Sequence, residues 1–228
     1  MTTASPSPTP LPRLEIDASG PSAPTARLAD FIWPHPVPDR ALHGASDGSR
    51  VLVQSRVHDQ RGHQVRWVEH AEVEAGLPRR TELVRFDLDT SRFAETGRWR
   101  VDERGDMDDH NLHRRAVVLP AVLTRGERVL PIPGAGLTLD WCGEAELRIG
   151  ADVFRRRVIR LRMEQGGMRM DQWLAAGVGE IATGAAWGPF TRWMLAWAGD
   201  GRRWWGGVPE SLVLDTVDWE EEGFGAAR

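Results

Sequence analysis

Apolar side chains recur at every second position along much of this chain, the spacing of strands that bury one face. Val51, Val53 and Val57 alternate with polar neighbours, Asp59-Gln60-Arg61-Gly62 supplies turn residues, and Val65, Trp67, Ala71 and Val73 resume the alternation. That pattern predicts a β-hairpin. Residues 81–88 and 97–101 read as further strands separated by Asp89-Thr90-Ser91. A polar loop over 102–111 leads to another strand over 112–119.

The second half is patterned more clearly. Leu137, Leu139 and Trp141 alternate along one strand, and Val153 to Met163 makes a second. Gln165-Gly166-Gly167 turns the chain, Met168 to Ala175 returns antiparallel, and Gly177-Val178-Gly179 turns it again. Residues 190–198 fit two periods: Phe190, Trp193, Met194 and Trp197 have helical spacing, while Trp193, Leu195 and Trp197 alternate. Gly199-Asp200-Gly201 and the following Arg202 to Trp205 favour a strand pair. Phe31 to Pro36, aromatic and punctuated by proline, reads as an edge strand or a strap. The expectation is an all-β protein: a single antiparallel curved sheet or half-barrel over residues 27–214. A disordered Pro/Ser/Thr-rich tail (1–26) precedes it and a flexible acidic tail (215–228) follows.

Composition narrows the classes. The chain has 228 residues and 41% apolar residues, enough for one β domain with a real core. A net charge of −4 with mixed signs gives no global attraction to nucleic acid. All 29 basic residues are arginine and tyrosine is absent, as GC-rich coding produces, so clustered arginine is weak testimony for phosphate binding. Cys142 is the only cysteine, which excludes an internal disulfide and any multi-cysteine zinc site. No signal-peptide-like run opens the chain, and no stretch reaches the ~20 apolar residues of a membrane helix. A cytoplasmic location is expected, or the envelope if an export signal has been lost.

Residues 123–181 carry a pattern of their own: Leu123-Thr124-Arg125-Gly126-Glu127, Trp141, Gly150-Ala151-Asp152-Val153-Phe154, Val158 to Leu161, Gly166-Gly167, and Trp173-Leu174-Ala175-Ala176-Gly177-Val178-Gly179-Glu180-Ile181. It resembles uncharacterised bacterial envelope proteins similar to the lipoprotein-carrier (LolA-like) half-barrels. Ala176 stands where their turn carries proline. The resemblance implies a folded-over antiparallel sheet whose concave face holds an acyl chain.

Candidate chemistry is sparse. Asp106, Asp108, His110 and His113 in the polar loop offer carboxylate and imidazole ligands for a divalent metal, although the spacing matches no EF-hand loop and His110 with His113 is not the helical i, i+4 pair of zincins. His58 and His63 flank the first hairpin turn, with His70 on the following strand. Cys142 lacks a flanking nucleophile motif and reads as a buried thiol. Arg156, Arg160, Arg162 and Arg169 suggest a solvated outer face or a basic stripe. Tryptophan is concentrated in the last third: Trp173, Trp187, Trp193, Trp197, Trp204 and Trp205. Such rings line apolar cavities or fill aromatic cores. The expected function is non-catalytic binding of an apolar small molecule, a lipid or a protein segment on a Trp-rich concave face, with Trp173, Trp193, Trp197 and Trp204 as the site. No cofactor is expected, nor a nucleic-acid partner. The alternatives are a metal-dependent enzyme using the Asp106–His113 loop, and a structural assembly protein.

Overall fold

The computed structural model describes residues 11–32, 39–60, 63–89, 92–104, 106–108, 117–132, 134–199, 202–204, 208–215 and 217. Its elements in chain order are β1 (Leu14–Asp17), β2 (Thr25–Arg27), α1 (Ala29–Ile32), β3 (Asp39–Ala45), β4 (Arg50–Gln60) and β5 (His63–Glu74). Then come β6 (Leu77–Asp89), β7 (Arg92–Val101), β8 (Met107–Asp108), β9 (Val117–Pro120), β10 (Val122–Thr124) and β11 (Arg128–Ile132). The series ends with β12 (Ala135–Ile149), β13 (Asp152–Gln165), β14 (Met168–Ala175), β15 (Gly179–Ala185), β16 (Phe190–Gly199) and β17 (Arg202–Trp204).

The expected all-β antiparallel fold is what forms. One sheet runs β1-β12-β13-β14-β15-β16-β3-β4-β5-β6-β7-β8, and it is not closed into a barrel. β11 also pairs with β12, β17 with β16, and β9 with β7. β10 and β2 make a separate two-stranded sheet. The predicted hairpins are present, β4–β5 closing at the Gln60–His63 pair and β13–β14 at Gln165–Met168. Residues 190–199 are strand, because β16 bonds to β15 on one side and to β3 on the other.

The sheet folds over so that β4–β7 faces β12–β16. Val57 of β4 and Phe86 of β6 pack on the cluster built by Leu137, Leu139, Ile159, Leu161 and Leu174. Leu28, Phe31, Ala26 and Leu123 join that cluster, so α1, β2 and β10 fill one end of the interior. Arg66 of β5 donates to the Ile32 carbonyl (2.6 Å), and the Gly177 N–H of the β14–β15 turn donates to the Asp30 carbonyl (3.0 Å). Both halves of the sheet therefore hold the helical turn. Phe31 and Ile32, expected in an edge strand or strap, lie in this plug.

The outer face is covered by the ends of the chain. Leu11, Leu14, Ile16 and Ala18 pack on Trp141, Trp173 and Trp193, and the Trp193 indole N–H donates to the Pro12 carbonyl (2.7 Å). Near β12, a Cβ on Gly143 would sit 2.5 Å from the Pro21 carbonyl oxygen, so glycine is required where residues 20–23 cross the strand. Of the expected 1–26 tail, residues 11–26 are part of the fold, because Leu14 and Ile16 alternate onto an apolar surface, and residues 1–10 lie outside the described residues. At the other end, Val208, Leu212 and Leu214 pack on Leu42, Leu52 and Ala71. The buried Gln54 amide exchanges two hydrogen bonds (3.4 Å each) with the Leu214 backbone.

Leu161 sits on the inner face with 2% of its surface exposed. Leu161→Ala is expected to cost about 2–5 kcal/mol, read as a lower urea midpoint with an unchanged slope.

Candidate functional site

Neighbouring rows across the sheet point to opposite faces, because side chains alternate along each strand. One row runs Leu139–Leu161–Gln172–Thr183–Arg192–Ala45 through β12, β13, β14, β15, β16 and β3. Leu139 and Leu161 place it on the inner face. The adjacent row, Trp173–Ala182–Trp193–Gly44, lies on the outer face beneath the N-terminal strap. The inner row changes character part-way: apolar at β12 and β13, polar at β14, β15 and β16.

Around that polar stretch gathers a group of hydrogen-bonding side chains. Arg192 donates to Glu180 through Nε (3.1 Å) and Nη2, and the Gln172 amide donates to the second Glu180 oxygen. Glu180 reaches the inner face through an irregularity. Trp173 pairs with Ala182 but Leu174 pairs with Glu180, so Ile181 is an extra residue and the strand's facing is reversed beyond it. His43 of β3 lies on the inner face beside Arg192 and is 3% exposed. Across β4, Val53 pairs with His70 of β5, and His70 with Glu82 of β6. Arg98 of β7 bonds Glu82 (2.7 Å) and Glu95 (2.8 and 3.0 Å).

These groups form one electrostatic unit spanning both halves of the sheet. Burial pushes the His43 imidazole down to about 3, with Glu180 opposing and Arg192 and His70 reinforcing. Burial likewise lowers His70, which feels Glu82, Arg192, Glu180 and Arg98. Burial works against ionisation of Glu180, but Arg192, His43 and the Gln172 amide outweigh it and bring the carboxyl down to about 2. Both histidines are therefore neutral at pH 7 beside an ionised pair. Water reaches the unit: the Arg192 and Arg98 side chains are 32% and 30% exposed. Within this unit the buried His43 Nδ1 and Thr183 Oγ1 have no hydrogen-bond partner among the described residues. Beyond Gln172 on β14, Met170 is 39% exposed and pairs with Met163, extending the inner face to an apolar rim.

The residues singled out from sequence are distributed differently. Trp173, Trp193 and Trp197 are 7%, 5% and 2% exposed and belong to one core cluster. Trp173 and Trp193 project outward, under the strap, rather than into the concavity. Trp204 is described through its backbone, paired with Trp197. Asp106 is exposed, with its N–H on Asp102 Oδ1 (2.9 Å), and Asp108 is described only as a β8 backbone pairing Arg100. His110 and His113 lie outside the described residues, and the His58 and His63 side chains are not described. Among the described residues no three His, Cys, Asp or Glu side chains group for a metal. Cys142 is buried, and desolvation pushes its thiol up, which disfavours the thiolate.

Two members of the arginine stripe are half-buried in ion pairs. Arg160 pairs with Asp140, and Arg162 bonds Asp171 (3.0 Å). Both guanidiniums lie against Trp187, 4.4 and 4.3 Å from its ring centroid. Trp187 is 72% exposed with φ of 60°, held by its N–H on Asp171 (3.3 Å). His43, Thr183, Glu180 and Arg192 escaped the sequence reading. No strand was expected at 39–45, and no motif marks a residue as facing inward.

Searches for related proteins find no match to this chain among protein-family models, curated proteins or solved structures. No helix among the described residues is long and apolar enough to cross a membrane.

The neutral buried histidine has a consequence for acid stability. The unfolded chain protonates His43 near pH 6.5, whereas the folded protein does so only near 3. Stability is therefore lost as pH falls through that window, by at most about 1.4 kcal/mol per pH unit for one such group. His43→Gln is expected to make the decline of the urea midpoint between pH 6.5 and 4 shallower, with His70 supplying the remaining slope. An unchanged slope would contradict a neutral, buried His43.

Proposed function

We propose that this protein is a non-catalytic binding protein that takes an apolar or amphipathic small molecule in the concavity between the two halves of its folded sheet. The observation that carries the reading is the inner row itself. It passes from Leu139 and Leu161 to Gln172, Thr183 and Arg192 on one continuous face, and the polar part stays accessible to water. A ligand with an apolar body and a polar end matches that gradient. Burying two histidines and an ion pair inside a sheet is costly unless their hydrogen bonds are used, and a binding site uses them.

The same occupant class follows from the resemblance of residues 123–181 to lipoprotein-carrier half-barrels. The tryptophans then serve the site from behind: Trp173 and Trp193 stiffen the wall that bears Gln172 and Arg192 on its other side. The side chains expected to touch ligand are Met163, Met170, Gln172, Thr183 and Arg192.

Titration with the neutral fluorophore N-phenyl-1-naphthylamine tests this. The full chain is expected to enhance its emission at saturable, stoichiometric binding. Met170→Glu, which puts a charge at the apolar rim without touching the core, is expected to weaken binding about tenfold or more by desolvating a carboxylate. Trp187→Ala on the outer face is expected to leave binding unchanged. Absence of saturable binding, or equal loss in both variants, would overturn the assignment.

A further inference from the structure

Three neighbouring segments at one end of the sheet are free of charge. Leu130-Pro131-Ile132-Pro133-Gly134-Ala135, Gln165-Gly166-Gly167-Met168 and Ala185-Ala186-Trp187-Gly188-Pro189-Phe190 carry no ionisable side chain, in a chain that is 27% charged. The ladders set them side by side: Ile132 pairs with Ala135, Ala135 with Gln165, Gln165 with Met168, and Met170 with Ala185. They form one uncharged rim. It ends at the turn between β3 and β4, which brings in Asp47 and Arg50.

The rim is apolar on both faces of the sheet. Met168 and Met170 stand on the inner face, Met170 in line with Met163 and Leu137. Leu130 stands on the outer face, next to the inward Val129, and Trp187 lies there over the guanidiniums of Arg160 and Arg162. Met168, Leu130 and Trp187 are 70%, 64% and 72% exposed. Large apolar groups gathered in water mark an interaction site. Trp187 is held there on purpose-built geometry: its left-handed backbone is one that bulky residues rarely adopt, and the bond to Asp171 fixes it.

The two-sided exposure decides what covers the rim. A protein packing on one face would leave the other in water, whereas a lipid interface surrounds a protruding edge. The side chains agree with that occupant. Tryptophan favours the depth of lipid head groups. Arg169, between the two methionines, and Arg128, two residues from Leu130, are exposed and share the single carboxylate of Glu164 (3.0 and 3.8 Å). One positive charge is therefore in excess, on stems long enough to reach lipid phosphates.

We propose that this rim docks edge-on onto the surface of a lipid bilayer. Leu130, Met168 and Trp187 enter the boundary between head groups and acyl chains, and Arg128 and Arg169 lie at the phosphates. This surface stands whether or not the concavity takes a ligand.

Flotation of the full chain with phosphatidylcholine vesicles containing one-fifth phosphatidylglycerol tests the proposal. The parent is expected to float with lipid, saturably. Met168→Asp is expected to lower the partition coefficient about tenfold, by placing a carboxylate at the boundary. Trp187→Gly, which keeps the turn because glycine adopts that backbone freely, is expected to lower it about fivefold or more. Val153→Asp, at the exposed turn on the opposite end of β13, should float as the parent does. N-phenyl-1-naphthylamine binding without vesicles should be unchanged in Trp187→Gly, so that the rim and the concavity are read separately. A parent that stays in the lipid-free fraction would overturn the proposal, as would equal losses in Val153→Asp and Met168→Asp. A dimer formed without lipid and abolished by Met168→Asp, measured by light scattering, would assign the rim to a second copy instead.

Discussion

A wide antiparallel sheet has two faces, and this one must shield both from water. Folding the sheet over brings Val57 and Phe86 against Leu139, Ile159 and Leu161, which closes part of the inner face. Among the described residues no second sheet lies on the outer face, and segments near the two ends of the chain take that role. Residues 11–18 lie on Trp141, Trp173 and Trp193, and residues 208–214 lie on Leu42, Leu52 and Ala71. Everything else about the molecule follows from how these two coverings divide the apolar surface. The strap takes Trp141, Trp173 and Trp193. The inner face carries Leu139, Leu161 and Phe86 at one end and Gln172, Thr183 and Arg192 at the other, and Trp197 shares that face through the row Trp197–Ala41–Val53–His70.

The polar end is stable because its charges arrive in pairs. An isolated carboxylate among strands would be pushed toward neutrality by desolvation. Glu180 stays ionised because Arg192 and Gln172 satisfy both of its oxygens. Breaking such a pair costs more than its net contribution to stability, since the survivor is left uncompensated. The two histidines take the opposite course and give up their charge. The outcome is an interior that is polar and electrostatically settled, with His43 Nδ1 and Thr183 Oγ1 left without a hydrogen-bond partner among the described residues.

Strand alternation was legible along most of the chain, and the hairpins at 60–63 and 165–168 follow from turn residues and period alone. What alternation could not say is which alternating set faces inward. Val65, Trp67 and Ala71 form the apolar set of β5, and their burial is outward, against Leu83, Trp99 and Val217 or beneath residues 208–214. His70, on the quieter set, faces the concavity. Local irregularities reverse the assignment elsewhere. A register shift between Leu139 and Trp141 puts Leu139 inside and Trp141 outside, although both belong to one run of alternate positions. The extra residue at Ile181 turns Glu180 inward, where strict alternation from Thr183 would have turned it out.

The amino-acid sequence by itself determined that this is an antiparallel β protein, that most of its strands lie where the period-two runs lie, and that its one thiol is buried. Those properties depend on contacts between near neighbours and on turn chemistry, which are written locally. Only the tertiary structure decided where the tryptophans point, how much of the expected N-terminal tail joins the fold, and that His43, Glu180 and Arg192 meet. Those residues come from three strands joined by a non-sequential pairing of β16 with β3, and one of them depends on a bulge. Such placement is set by which surfaces the chain ends cover and by where a strand gains one residue, and neither leaves a periodic mark in the sequence.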